Sequence, residues 1–180
     1  MDVKLGLGRA TGMFYHAPAG TALPTYPGAQ LATAWQEVGA VAQDGITFNS
    51  NWSFEKLKDW AKQTQRTLPS EDSGTVSVPV IATTEESFKT VFGESNVTVT
   101  AATQDHGKLI SVDFTASGMP DAEAYLFLIK DDDDMIMIGT TRGYISEVAE
   151  VAFQPNAAIT WEATITADKW TIMKDDGQTS

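Results

Sequence analysis

Apolar and polar residues alternate along much of the chain, and one amphipathic segment interrupts that alternation. The run Val76–Val80 places valines at every second position, which is typical of a half-buried strand. Phe88, Val91 and Phe92 then follow at helical spacing and would form one apolar stripe. The pattern predicts a strand followed by one short helix, around which the neighbouring strands are arranged.

The residues that flank this helix fit known start and stop signals. Thr83 or Thr84 can serve as the N-cap, and Thr83 with Glu86 fits the spacing of a capping box. Gly93 fits a C-cap, after which the chain returns to a strand pattern at Asn96. The segment that we call the scaffold helix is defined by these residues: Thr83, Glu86, Phe88, Val91, Phe92 and Gly93.

Further strands are predicted at short intervals on both sides of the scaffold helix. A turn at Asp44–Gly45 separates the first two of them, and a turn near Asp105–Gly107 separates a later pair. The predicted strands are 35–41, 46–48, 63–68, 76–81, 97–103, 109–114, 125–129, 135–138, 144–153, 158–166 and 170–173. Turn signals about every 8–12 residues favour a mainly β protein, an antiparallel β-sandwich or barrel with one short flanking helix.

Two segments depart from the strand pattern. Between Ser53 and Ala61, apolar residues recur at helical spacing, which predicts a second short helix with Ser53 as its N-cap. The turn residues of Pro69–Gly74 predict the end of a hairpin loop before the strand at Val76.

Three regions follow from this pattern. Residues 1–30 are rich in Gly, Ala, Pro and Thr and predict an extended N-terminal arm, with Phe14 and Tyr15 as anchors. Such an arm is either disordered or docked on a neighbouring subunit. Residues 31–174 form the β-sandwich domain, and residues 175–180 form a polar C-terminal tail that frays.

Composition narrows the possible functions. The apolar content of 42% in 180 residues is sufficient for one core, and the absence of cysteine fits a reducing cytoplasm. The sequence has no apolar run of signal-peptide length and no candidate membrane span. The net charge is −12, of which residues 121–180 carry −8. Such a chain does not bind nucleic acid by neutralising phosphates, because that requires clustered lysines and arginines.

The sequence offers little chemistry. His16 and His106 are far apart in flexible contexts and are expected to be solvated. No motif brings together a nucleophile, a base and a residue that orients the base, so we expect no enzyme activity, no catalytic residue and no cofactor.

Two clusters leave binding interpretations open. The hairpin tip formed by Asp131, Asp132, Asp133 and Asp134 could be a solvated charged turn, a calcium site or part of an assembly surface. Calcium is disfavoured because four adjacent aspartates lack the staggered spacing and the glycine of a calcium loop. Trp161 is expected in the core, whereas Trp52 and Trp60 beside a loop keep carbohydrate binding open.

Two segments together resemble a known family. Trp35-x-x-Val38-Gly39-x-Val41-x-x-Asp44-Gly45-Ile46 is followed, after a hairpin, by Ala82-Thr83-Thr84-Glu85-Glu86-Ser87-Phe88-x-x-Val91-Phe92-Gly93. Their spacing resembles that of the tail tube (major tail) proteins of long, non-contractile-tailed bacteriophages. The resemblance covers residues 34–93.

The resemblance implies a structural subunit that forms stacked, hexameric rings around an electronegative channel, through which DNA passes without specific binding. Its implied partners are copies of itself and the tape measure, tail terminator and baseplate or tip proteins, in a virion tail assembled in the host cytoplasm. Contacts between rings would come from Phe14, Tyr15, Trp52, Phe54, Leu57, Trp60 and Arg66. The four aspartates would line the lumen or its rim. The alternative is a carbohydrate- or surface-binding β-sandwich module of a virion fibre or baseplate.

Overall fold

The computed structural model describes residues 7–8, 13–58, 60, 64–113, 120–131 and 134–177. Eleven strands and one α-helix are formed within these ranges. The strands are β1 (Leu7–Gly8), β2 (Phe14–Pro18), β3 (Gln36–Gly39), β4 (Thr47–Lys58), β5 (Thr64–Val80), β6 (Val97–Thr100), β7 (Leu109–Val112), β8 (Glu123–Asp131), β9 (Asp134–Val148), β10 (Trp161–Ala167) and β11 (Thr171–Asp175). Helix α1 spans Glu85–Phe92 and is followed by a short 3-10 turn, Glu94–Asn96.

All strand pairs are antiparallel, and the main strand order is β3-β2-β8-β9-β10-β5-β4. Strand β1 pairs with β8, β11 pairs with β9, and β6 and β7 form a separate pair. The prediction of a mainly β, antiparallel protein with one short flanking helix is confirmed.

The long strand β9 links the two halves of the main sheet. Its first part, up to Gly143, pairs with β8, whereas Tyr144–Val148 pairs with β10. The two ends of the sheet also approach each other, because Val41 bridges to Val80 and the Ala42 amide donates to the Pro79 carbonyl at 2.7 Å. The sheet therefore curls around one main core.

That core is built from the alternating apolar residues of the strands. Val76, Val78 and Val80 of β5 are fully buried, as are Phe127 of β8 and Ile165 of β10. A smaller apolar cluster lies on the other face of β8, around Trp35, Leu126 and Leu128. Strand β8 is therefore buried on both faces, which explains why its sequence is continuously apolar.

Helix α1 closes one end of the core, and its predicted apolar stripe is confirmed. Val91 and Phe92 are buried, and Phe88 meets Trp161 edge to face with ring centroids 5.0 Å apart. Gly93 ends the helix with a φ of +88°, a conformation that glycine adopts without strain, and its amide donates to the Lys89 carbonyl at 2.9 Å.

The predicted capping box is one residue out of place. Thr84 is the N-cap, and its Oγ1 accepts from the Ser87 amide at 3.2 Å while Ser87 Oγ accepts from the Thr84 amide at 2.9 Å. Thr83 Oγ1 instead accepts from Trp161 Nε1 at 3.4 Å. Serine replaces the usual glutamate as the third helical residue, which frees Glu86 to face another part of the protein.

Mutation can test which threonine is the N-cap of α1. Thr84→Ala is expected to lower the free energy of unfolding by about 1 kcal/mol, because it removes the acceptor of an otherwise unpaired helical amide. Denaturant unfolding followed by circular dichroism measures the change. Glu86→Gln is the matched control and should leave the helix start intact, since its side chain takes no part in the cap. If Glu86→Gln lowered the free energy of unfolding more than Thr84→Ala did, the capping box would instead be the one formed by Thr83 and Glu86.

The predicted N-terminal arm is wrong at β2. Phe14–Pro18 is a strand inside the sheet, paired with β8 on one side and with β3 on the other. Phe14 is completely buried and stacks on Phe127, with ring centroids 4.7 Å apart and ring planes inclined by 9°. The surrounding Gly, Pro and Thr residues concealed a five-residue strand, one of whose two partners, β8, lies more than a hundred positions away.

Two local predictions between residues 53 and 74 are also wrong. The segment from Ser53 is strand β4 rather than a helix, and β5 runs without interruption through the predicted turn at Pro69–Gly74. The turn at Asp44–Gly45 exists, with Gly45 at a φ of +72°, but the strands that it joins lie at opposite ends of the sheet order. Strand β9 joins two segments that the sequence predicted as separate strands.

Candidate assembly surfaces

A long hairpin extends beyond the main sheet. From Gly74 to Ser77, β5 pairs with both β4 and β10, whereas within the described residues Thr64–Ser73 pairs only with β4. We call residues 51–73 the distal hairpin. A two-stranded ribbon has marginal stability in water, so this segment is the part of the chain that gains most from a further partner.

The base of the distal hairpin is fixed to the core. Trp170 Nε1 donates to the Gly74 carbonyl at 2.9 Å, and the Trp170 ring meets Phe48 edge to face. A Cβ atom on Gly74 would lie 2.6 Å from Trp170 Cδ1, so only glycine allows this contact. Trp170 therefore fixes the direction in which the ribbon leaves the sheet.

Pro69 is accommodated because it lies in this ribbon. It pairs with Phe54 next to a register shift between Ser53 and Phe54, and no third strand is described beside it. Proline cannot donate to a ladder and is tolerated at edges and bulges. The same residue in the part of β5 between two strands would remove a hydrogen bond.

The tip of the distal hairpin differs in charge from the rest of the protein. Residues 56–66 contain four of the twelve lysines and arginines and a single acid, so the segment carries +3 and the rest of the chain −15. Trp60 is fully exposed within the subunit, at 103% of its reference area. A basic tip that bears an exposed indole is suited to an acidic surface with an apolar recess.

The other predicted inter-ring residues occupy known backbone positions in this hairpin. Trp52 pairs with Asp72, and Leu57 pairs with Arg66. Phe54 lies opposite Pro69. Their side chains lie outside the described atoms, so their role in assembly stays a prediction. The structure does bring Trp52, Phe54, Leu57, Trp60 and Arg66 onto one hairpin.

Phe14 and Tyr15 do not join this group. Phe14 belongs to the main core, and Tyr15 lies in the smaller apolar cluster on the opposite face of β2. Because the fully buried Phe14 ring is unavailable to another subunit, its predicted role as an anchor of an arm is wrong.

The acidic hairpin connects β8 and β9, as predicted. Asp131 pairs with Asp134 in the backbone register. The Asp134 side chain is only 14% exposed, and its Oδ2 lies 4.0 Å from Lys174 Nζ of β11. Asp134 is thus a largely buried residue of the sheet near Lys174 rather than part of a solvated tip. Asp132, Asp133 and the Asp131 side chain lie outside the described atoms.

A polar cluster that no sequence pattern indicated lies between α1 and the sheet. The His16 side chain is 12% exposed, and its Nδ1 lies 3.0 Å from Glu123 Oε2, while Nε2 lies 3.7 Å from Glu86 Oε2. The cluster borders a groove of about 430 Å³ that is also lined by Lys89, Glu94 and Asp121. The prediction of a solvated His16 is wrong, because β2 places it beneath the helix. His106 is exposed, as predicted.

The first turn of α1 forms a surface ion-pair network. Glu85 lies 2.8 Å from Lys89 Nζ and 2.5 Å from Lys108 Nζ. The hydrogen bond from Lys108, followed by that from Lys89, lowers the pKa of Glu85 from 4.5 to about 2. This network connects the helix to the loop that precedes β7.

The described residues contain no group of three or more His, Asp or Glu side chains placed to hold a metal ion. They also contain no helix long and apolar enough to cross a membrane. The surfaces suited to interaction are the distal hairpin, the sheet edges and the groove beside α1.

Comparison with known proteins now adds to this geometry. A family model described as "Phage tail tube protein" matches residues 7–174. Among solved structures, the fold is similar to the cryo-EM structure of the anti-feeding prophage cap, the tube terminating cap, with 8% sequence identity, a TM-score of 0.48 and coverage of 97% of each chain. No curated protein sequence matches.

Proposed function

Because the chain belongs to the phage tail tube protein family, we propose that it assembles into stacked, hexameric rings whose channel conducts DNA during ejection. Membership makes the chain a structural component of a virion tail and not an enzyme. Ring number, stacking and DNA passage belong to the proposal.

The observation that supports assembly most strongly is the distal hairpin. It extends as a two-stranded ribbon beyond the last three-stranded part of the sheet and carries the exposed Trp60. A monomer gains little from keeping such a ribbon and risks aggregation through it. A neighbouring subunit that buries the ribbon accounts for both features.

Charge supports contacts between rings. The tip carries +3 on a chain whose other residues carry −15, so the tip of one subunit is attracted to the body of another. Like-charged bodies would otherwise repel one another in a stack. The hairpin therefore provides both the apolar and the electrostatic part of the contact between rings.

The strand edges support closure within a ring. Strand β4 is the last strand at one end of the sheet order, and β3 is the last at the other. Unpaired edges are templates for pairing with another chain, and a closed ring removes them. Helix α1 would then lie on the outside of the tube, where it stiffens the scaffold.

The acidic hairpin contributes to the electronegative channel or its rim in this proposal. Asp131, Asp132 and Asp133 would supply this charge in the proposal, since Asp134 already faces Lys174. The tape measure, tail terminator and baseplate or tip proteins would contact the column of rings. Assembly would take place in the host cytoplasm.

Electron microscopy of the purified protein tests the proposal. Tubes or rings with a central channel are expected at high protein concentration. A protein that stays monomeric under all conditions, with tryptophan fluorescence quenched by a sugar, would replace it with the carbohydrate-binding alternative. Trp60 is exposed in either case, so the two outcomes are separated by assembly and by the response to sugar.

Trp60→Ala should raise the protein concentration needed for tube formation about tenfold, which corresponds to about 1.4 kcal/mol per contact. Sedimentation of tubes across a concentration series measures the shift. The melting temperature of the unassembled subunit should not change, because the side chain is fully exposed there. Tyr26→Ala, at a residue 55% exposed outside the hairpin, is the matched control. If both substitutions raised the concentration needed for tube formation equally, Trp60 would not lie in the interface.

A further inference from the structure

The groove beside α1 combines negative charge with small apolar residues. Its lining contains four carboxylates and one lysine, so the groove carries −3 while His16 is neutral. The acids come from α1, from the turn after it and from the start of β8 with the loop before it: Glu86, Glu94, Asp121 and Glu123. The small apolar residues of the lining are Ala17, Pro18, Ala19, Ala34 and Ala122. The volume of about 430 Å³ lies within the range of about 300–1,000 Å³ that is typical of binding sites.

The polar groups of this groove are only partly satisfied within the subunit. Lys89, its one lysine, lies 2.8 Å from Glu85, which is not part of the groove lining, and 3.9 Å from Glu94. His16 Nδ1 lies 3.0 Å from Glu123 Oε2, whereas its buried Nε2 has no hydrogen-bond partner among the described residues. In the neutral ring this second nitrogen is an acceptor, and a lysine ammonium or an indole N–H is a donor that would satisfy it.

The tip of the distal hairpin has the complementary properties. Residues 56–66 carry +3, and both Lys56 and Trp60 are exposed within the subunit. Basic side chains suit the carboxylates of the groove, and a flat indole packs well against alanines. Tryptophan is also enriched among the residues that carry most of the binding energy of an interface. The charges of the two surfaces are opposite in sign and equal in size.

The tip and the groove lie at opposite ends of strand β5. The strand runs from Thr64 at the tip to Val80, and α1 begins five residues later at Glu85. Its 17 residues extend over about 50 Å at about 3.3 Å per residue, which keeps the tip of a subunit away from its own groove. A contact between two different surfaces of identical subunits continues head to tail, which is the geometry that a stack requires.

We propose that the groove beside α1 receives the tip of the distal hairpin from a second copy of the chain. Trp60 packs against the small apolar residues of the groove, and the basic residues of the tip, Lys56 among them, face its carboxylates. This inference rests on the proposed tube and adds which surface of one subunit accepts the hairpin of another. It also gives the stack a direction, because every tip meets the α1 end of the next subunit.

Cross-linking between introduced cysteines tests this contact, since the chain has none of its own. In tubes that carry both Lys56→Cys and Glu94→Cys, a short bifunctional maleimide should join the subunits into a ladder of covalent multimers. Lys56→Cys with Asp105→Cys, in the exposed loop between β6 and β7, is the matched control and should give no ladder. Tubes without a ladder from the Glu94 variant would overturn the inference and uphold the proposed function. A ladder from Lys56→Cys with Asp132→Cys instead would assign the tip to the acidic hairpin and also overturn it.

Exchange of charges tests the same contact without a cross-linker. Lys56→Glu and Glu94→Lys should each raise the protein concentration needed for tube formation several-fold, and together they should recover most of the loss, because an opposite pair is restored. The Glu94 side chain is 83% exposed, so its substitution should leave the subunit folded. Lys56→Glu with Asp105→Lys restores the net charge elsewhere and should show no recovery. Losses that simply add in the variant with both Lys56→Glu and Glu94→Lys would overturn the inference. If the cysteine variants do not assemble, this comparison decides.

Discussion

Replacing residues 52–72 with an Asn-Gly turn should leave a folded subunit that no longer forms tubes. The cut joins Asn51 to Ser73, which face each other across the ribbon, and Asn-Gly favours the tight turn that such a pair requires. Every strand pair between β5 and β10 is retained, because that pairing begins at Gly74. The subunit loses only a segment whose two strands pair with each other and, among the described residues, with no other strand.

The measurements separate folding from assembly. Thermal unfolding should occur within a few degrees of the value for the full chain, while electron microscopy and sedimentation should show no tubes. An asymmetric deletion of residues 51–63 is the informative comparison. It leaves Thr64–Ser73 without its partner strand, so it should aggregate through a free edge rather than stay monomeric. Normal tubes from the symmetric variant would refute the role of the distal hairpin between rings.

Elements that are determined by residues close together in the sequence could be predicted from it. Helix α1 was placed correctly because its apolar stripe, its acidic first turn and its terminal glycine lie within ten residues of one another. The error in its cap has a local cause as well. Thr83 and Thr84 are both suitable caps, and the choice depends on Trp161 Nε1, which donates to Thr83 Oγ1 from another strand.

The distal hairpin shows why local signals can mislead. Pro69 and Gly74 are turn residues in most contexts, and Phe54, Leu57 and Trp60 have helical spacing. The structure uses the same residues in a ribbon, where a proline is tolerated because a neighbouring strand is absent on one side. Gly74 is required by its close contact with Trp170, a residue 96 positions away. No window of the sequence contains that information.

The cluster around His16 could not be predicted from the sequence, for a related reason. Its partners are Glu86 on α1 and Glu123 on β8, and each is an ordinary surface residue when considered alone. The pairing of β2 with β8 and the position of α1 over β2 bring them together. Strand β10 is an intermediate case, because the alternation of Thr164 and Thr166 with Ile165 was visible in the sequence. Its pairing with β5 and β9 was not.

The distal hairpin combines two features that favour lasting contacts between copies of the chain: the exposed indole of Trp60 and the basic residues of its tip. Strands β4 and β5 serve both the core and this hairpin at different points along their length. Folding and assembly can therefore be perturbed separately.

Phe14→Ala should lower the free energy of unfolding by about 3–5 kcal/mol, the largest effect expected from a single substitution here. The ring is completely buried, lies 4.7 Å from the Phe127 ring and 6.2 Å from the Tyr125 ring, and would leave a cavity in the main core. For a chain of this size the melting temperature should fall by about 10 °C. Chemical denaturation of the unassembled subunit gives the free energy directly.

Tyr26→Ala is the control for the Phe14 experiment, because it removes an aromatic ring from the same N-terminal region at a residue that is 55% exposed. Its effect should be within about 0.5 kcal/mol. The comparison separates the two possible roles of the N-terminal region. If residues 13–18 formed an arm that docks on a neighbouring subunit, Phe14→Ala would weaken tubes and leave the subunit unchanged. Because β2 lies between β8 and β3, we expect the subunit itself to lose stability first, before any tube has formed.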